Sequence, residues 1–179
     1  MDQTTMEENA HLTLDRGSIP TEESNNLRLQ HLIKKVGTEA VRVEFDKQQE
    51  QRDLLQPRTG SVSSADFDIT LMMVFFRHLT PLHIGNKLPV EVDTSTAADL
   101  TRITYFRNKR AHSDSIDDKE FEEAYSIISK AIIRLGGTRF KDQCEELRHK
   151  RLDANLPPAV KGTYRQLIEV SWFNVICSS

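Results

Sequence analysis

Cysteine, glycine, proline and tryptophan are all scarce in this chain of 179 residues, which holds two Cys, seven Gly, six Pro and one Trp. So few glycines and prolines do not suit a sandwich or barrel of many short strands, because every connection would need its own turn residues. The two cysteines, Cys144 and Cys177, lie far apart and make neither a disulfide framework nor a CxxC zinc array. They read as free thiols of a reducing compartment. No apolar run is long enough to cross a bilayer, and the segment Met1 to Glu8 is acidic where a secretory leader is basic and then apolar. These features predict no membrane association and a cytoplasmic location. Loops of the GxxxxGK[ST] or GxGxxG type, HExxH zinc sites and nucleophile elbows are also missing, which removes sequence support for nucleotide hydrolysis, dinucleotide binding and zinc proteolysis. No metal and no cofactor is expected.

What the chain does have is Leu, Ile, Ala, Glu, Lys and Arg, the residues of helices, with 37% apolar and 28% charged residues overall. That balance predicts an all-α fold of one domain. The net charge of −3 is unevenly laid out, since residues 1–24 alone carry −5 and leave +2 for the rest. Those residues mix acids, Ser, Thr, Gly and Pro without apolar periodicity, and they predict a disordered acidic tail. A helical domain is expected over 25–153 and a short C-terminal extension, including Trp172 and Phe173, over 154–179.

Helical spacing recurs through the middle of the chain. Leu29, Leu32, Ile33, Val36, Ala40, Val41 and Phe45 predict a first helix, capped by Asn25 or Asn26 and ending near Lys47. Residues 48–65 read as a connection. The almost unbroken apolar run from Phe67 to Leu79 predicts a second helix buried on most sides. Leu100, Ile103 and Phe106 mark the inward stripe of a third, starting around Thr94 to Ala97 with Thr96 and Asp99 as its capping signal. Phe121, Ala124, Tyr125, Ile128, Ala131, Ile132 and Leu135 give the clearest stripe, opened by Asp117 and Glu120 in a capping-box arrangement and closed by Gly136-Gly137. A charged last helix is expected from Thr138 through Leu152.

The densest basic stretch falls between Asp99 and Asp114, where Arg102, Arg107, Lys109 and Arg110 stand among Tyr105, Phe106 and His112 with no acid between them. A helix turns about 100° per residue, so Arg107 and Arg110 share a face, and His112 can fold back toward Arg107 only if the helix ends first. Arg, Asn and His together suit metal-independent chemistry on a phosphodiester. The guanidinium forks onto phosphate oxygens, Asn108 orients a hydroxyl or the imidazole, and His112 moves a proton near neutral pH. Arg107, Asn108 and His112 are thus the candidate catalytic set, with Arg102, Lys109 and Arg110 as RNA contacts. Acid and base roles normally take two groups, so a motif with one histidine predicts a homodimer that brings two copies together. By spacing alone the run also fits an ordinary solvated helix surface. His11, His31, His78 and His83 lack partners at metal-ligand spacing, and the acids from Asp114 to Glu123 are favoured at a helix start by its dipole.

Several segments together resemble a HEPN domain, of the variety found in proteins similar to the DAZ-interacting zinc-finger E3 ubiquitin ligase. They are Leu32-Ile33-Lys34-Lys35-Val36-Gly37-Thr38-Glu39-Ala40-Val41-Arg42, Phe67 to Leu71 with Arg77-His78-Leu79-Thr80, Lys87-Leu88-Pro89, Asp93 to Arg102, Tyr105 to Asn108 with His112-Ser113, and Ile133 to Gly137. The resemblance spans Asn25 to Asp153 and implies a bundle of four or five helices, frequent homodimers and an R-x4-6-H motif. That motif maps onto Arg107, Asn108 and His112, which implies a composite ribonuclease site across a dimer. No RING-type Cys/His array is present, so ligase activity is not implied. The segment after Asn155 departs from the pattern, which predicts a shortened form of a larger protein. The partners expected are a second copy of the chain, single-stranded RNA and a further protein. The alternative is a non-catalytic protein-interaction adaptor, a fragment of a larger signalling or ubiquitin-ligase-like protein.

Overall fold

A computed structural model describes residues 19–52, 64–111 and 113–150, and among them there is helix and no strand. The chain starts its first helix at Pro20, whose fixed φ of −53° suits a helix entry and which has no N–H to leave unpaired. Helix α1 covers Thr21–His31, passes into a π-helical stretch over Leu32–Gly37 and continues as α2 over Thr38–Arg52. These three form one rod, because both junction residues, Leu32 and Thr38, keep right-handed helical torsions. After a 3-10 turn at Ser64–Asp66 come α3 (Ile69–Leu79), α4 (Thr96–Arg110), α5 (Asp118–Gly136), a second 3-10 turn at Thr138–Phe140 and α6 (Lys141–His149).

The rod differs from the expectation at both ends. Thr21 to Ser24 are helical rather than part of a tail, and α2 runs on to Arg52 rather than stopping near Lys47. Asn25 and Asn26 do not cap the helix; they lie inside α1 and are buried at 1% and 3% exposure. The π stretch widens the helix where Gly37 faces α4 and α5. A Cβ there would stand 3.8 Å from Ile132 and 3.9 Å from Ile103.

Helix α5 is the hub, packing on α1, α2, α4 and α6 through Phe121, Tyr125, Ile128, Ile132 and Leu135. Its ends follow the sequence signals. The Asp117 carboxylate accepts from the Glu120 N–H at 2.8 Å, and Gly137 leaves the helix at φ +93°, donating its N–H to Ile133 O at 2.9 Å. Gly136 is required for a different reason: a Cβ would fall 2.3 Å from the Phe140 ring. Helix α3 packs on α2 through Phe75 and Phe76, whose rings meet Phe45 at 4.6 and 6.0 Å. It is not buried on most sides, since Leu71 and Val74 remain 48% and 46% exposed. No described helix is long and apolar enough to cross a membrane.

Candidate nucleic-acid interface

Helix α4 carries the candidate residues, and its start is set by Ser95, whose hydroxyl accepts from the Ala98 N–H at 3.2 Å in place of the expected Thr96 signal. Leu100, Ile103 and Phe106 point into the core and so fix the rotation of the helix about its axis. The last helical residue is Arg110. Ala111 turns out of the ladder, donating its N–H to Asn108 O at 3.3 Å. The helix therefore ends before position 112, as the spacing argument required, while His112 itself lies outside the described residues.

Two of the expected RNA contacts face inward instead. Arg102 is 3% exposed, donating to Asp99 Oδ1 at 2.8 Å and to Val90 O at 2.7 Å. Asp99, itself buried, also accepts from Arg134 Nε at 2.7 Å and Nη2 at 2.6 Å, which ties α4 to α5 and to the loop before α4. That forked bond raises the Arg134 guanidinium above its ordinary pKa. Arg110 is 5% exposed and donates to Glu120 Oε1 at 2.9 Å, Ser113 Oγ at 3.3 Å and Ser115 O at 3.2 Å. Burial against a carboxylate and backbone carbonyls turns both guanidiniums away from the surface where an incoming phosphate would meet them. Lys109 is exposed but pairs with the same Glu120 oxygen at 2.7 Å, so an incoming anion would compete with that carboxylate.

Arg107 differs from all three. Half-buried, it reaches across to α3, where Nη1 donates to Thr70 Oγ1 at 3.3 Å, and its Nε leans on the exposed amide of Asn108 at 3.4 Å. Among the described residues no carboxylate forms an ion pair with it. Burial, and then the positive charge of Arg77, push its pKa below the ordinary value, with Asp68 pulling the other way. It stays charged at any working pH. The result is a fixed cation with Asn108 beside it and open hydrogen-bonding capacity.

The chain following position 112 is held as firmly as the chain before it. Asn26 Nδ2 donates to Ser113 O at 2.7 Å, the Ile116 N–H donates to Glu22 O at 3.2 Å, and Asn25 Nδ2 donates to Asp118 Oδ1 at 2.7 Å. Ile116 drops into the core at 3% exposure. The first turns of α1 thus clamp the loop between α4 and α5, a role absent from the sequence reading. The usable signal was the Asn pair standing ahead of Leu29 and Leu32 on the same stripe, where polar side chains are retained only if bonded. No cluster of three or more His, Cys, Asp or Glu among the described residues is placed to hold a metal ion.

No curated protein and no solved structure matches the chain. A family model described as DZIP3/hRUL138-like HEPN matches residues 25–158, from inside α1 to beyond α6. Because that match spans most of the chain and takes in all but the first turn of the helical bundle, the protein belongs to the DZIP3/hRUL138-like HEPN family.

Proposed function

We propose that this HEPN domain is a homodimeric, cytoplasmic RNA-binding module and a metal-independent endoribonuclease using Arg107, Asn108 and His112. The observation that supports the reading is the state of Arg107: it alone among the arginines of α4 is positioned by a neutral hydroxyl and amide rather than neutralised by an acid. A half-buried, preorganised guanidinium of this kind stabilises charge that grows on phosphate oxygens during reaction. The ribose 2′-oxygen attacks its own phosphate, passing its proton to one His112, while the bond to the 5′-oxygen breaks and that oxygen takes a proton from the partner's His112. The products are a 2′,3′-cyclic phosphate and a 5′-hydroxyl. Leu71 and Val74, exposed on α3 next to Thr70, supply an apolar patch for the second copy.

A second reading, an adaptor for a protein partner, has in its favour the exposed Leu88, Val90 and Val92 on the loop between α3 and α4. The full chain mixed with labelled single-stranded RNA in EDTA separates the two. The proposal expects cyclic-phosphate ends that disappear with His112→Ala. Cleavage that survives His112→Ala, or no cleavage at all, leaves the adaptor.

A further inference from the structure

We infer that Arg77 on α3 forms, together with Arg107 on α4, a two-guanidinium subsite that takes neighbouring phosphates of one RNA strand. The inference rests on the reading of Arg107 as an RNA contact and adds a residue that the motif does not contain.

Thr70, Val74 and Arg77 stand at i, i+4 and i+7 on α3, so seven residues bring Arg77 to within about 20° of Thr70 and about 10 Å further along the same face. Arg107 is bonded to Thr70 at the start of that line, and Arg77 occupies its end. Both guanidiniums therefore border one strip of surface, with the exposed Val74 between them. The strip flanks the apolar patch of Leu71 and Val74, so in the dimer the two cations line the edge of the interface, where a strand can run.

The charge pattern points the same way. Arg77 is exposed and is steadied by a neutral group, donating from Nη2 to Asn86 Oδ1 at 3.3 Å. Arg102, Arg110, Arg134 and Arg148 each have a carboxylate at salt-bridge distance, whereas among the described residues Arg77 and Arg107 have none, a state they share with Arg28, Arg42 and Arg139; what sets the pair apart is that Thr70 and Arg77 lie on one face of α3. The nearest counter-charge, Asp68, is engaged as the cap of α3, accepting from the Leu71 N–H at 2.7 Å. Arg107, tied to α3 at Thr70, feels the positive charge of Arg77 with only Asp68 set against it, and a bound anion would offset that repulsion. Each guanidinium forks onto one phosphate, and a polyanion with phosphates in series satisfies both. A line of cations along the rim of the Leu71 and Val74 patch suits a single strand, whose phosphates can follow the guanidiniums while its bases stay free.

The test uses the full chain carrying His112→Ala, so that RNA is bound and not cut, and a fluorescent single-stranded oligoribonucleotide followed by anisotropy over a potassium chloride series. Arg77→Ala and Arg107→Ala are each expected to reduce the slope of log K against log salt by about 0.7, and together by about 1.4. Arg77→Lys is expected to keep the slope while weakening binding, because the charge survives and the fork does not. Sedimentation and thermal melting check that Arg77→Ala leaves the dimer and the fold intact, as its exposure requires. If Arg107→Ala lowers the slope and Arg77→Ala does not, the subsite is overturned and the RNA reading stands. If neither variant alters binding, or the parent does not bind, both are overturned.

Discussion

Arg102 and Arg107 lie five residues apart on one helix and have opposite fates. Arg102 is sealed in the core with Asp99 and the Val90 carbonyl, and Arg107 is held half-open by Thr70 and Asn108. Five residues rotate a helix by about 140° beyond a full turn, so one residue type is sent to two environments by rotation alone. The same comparison divides the whole basic stretch. Arg110 joins Arg102 because the loop after α4 folds over its guanidinium, although it stands only about 60° from Arg107 around the helix. A cation whose donors are consumed by fixed carboxylates and carbonyls belongs to the fold. One oriented by neutral groups keeps its charge unneutralised at the surface, as the proposed RNA contact requires.

The comparison breaks most visibly at Asp99, whose carboxylate serves both Arg102 and Arg134. Asp99→Ala leaves a guanidinium buried without its counter-charge and is expected to destabilise the fold by about 3–5 kcal/mol in urea unfolding. Arg107→Ala, by contrast, is expected to change stability by less than about 1 kcal/mol. Equal costs for the two variants would erase the distinction between them. Arg110→Ala sits between these limits. It removes bonds to Glu120, Ser113 and Ser115 and is expected to cost about 1–3 kcal/mol. Its specific mark is faster amide exchange over Ser113 to Ile116, where Arg107→Ala has no effect. Unchanged exchange there would move Arg110 back among the surface cations.

Local signals in the sequence carried much of the fold. The stripe from Phe121 to Leu135, its Asp117 cap and the Gly136-Gly137 stop are all as the spacing predicts, because each depends on residues within one or two turns. The end of α4 at Arg110 was legible for the same reason. The fate of Arg102 was not, since Asp99 is three residues away but Arg134 is 35 residues further along the chain, and only tertiary packing closes that group. Asn25 and Asn26 misled as caps because their partners, Asp118 at the start of α5 and Ser113 in the loop before it, are distant in the chain. For α3, the near-continuous apolar run concealed which face stays uncovered. Periodicity assigns faces to a helix but does not say which face finds a neighbour.

Lys34 gives the smallest test and reaches the quantity that Arg107 conceals. Burial lowers the pKa of both, whereas the Asp99 bond raises that of Arg134. An arginine stays protonated throughout the useful pH range, so the effect of burial on Arg107 cannot be titrated. Lys34 is pushed down from 10.5 to about 8, which can be. Below pH 8 the folded and unfolded chains both hold the proton, so the cost of burying the charge is present and constant. Between about 8 and 10.5 the unfolded chain keeps a proton that the folded chain has released, so the Lys34 contribution to stability rises with pH across this window. Lys34→Met is expected to flatten that rise and to gain less than about 1 kcal/mol at pH 7, because the site is only half-buried. Urea midpoints of the two proteins from pH 7 to 10.5 give the comparison directly. A parent protein whose stability runs parallel to that of Lys34→Met over the window would mean that burial costs this cation nothing.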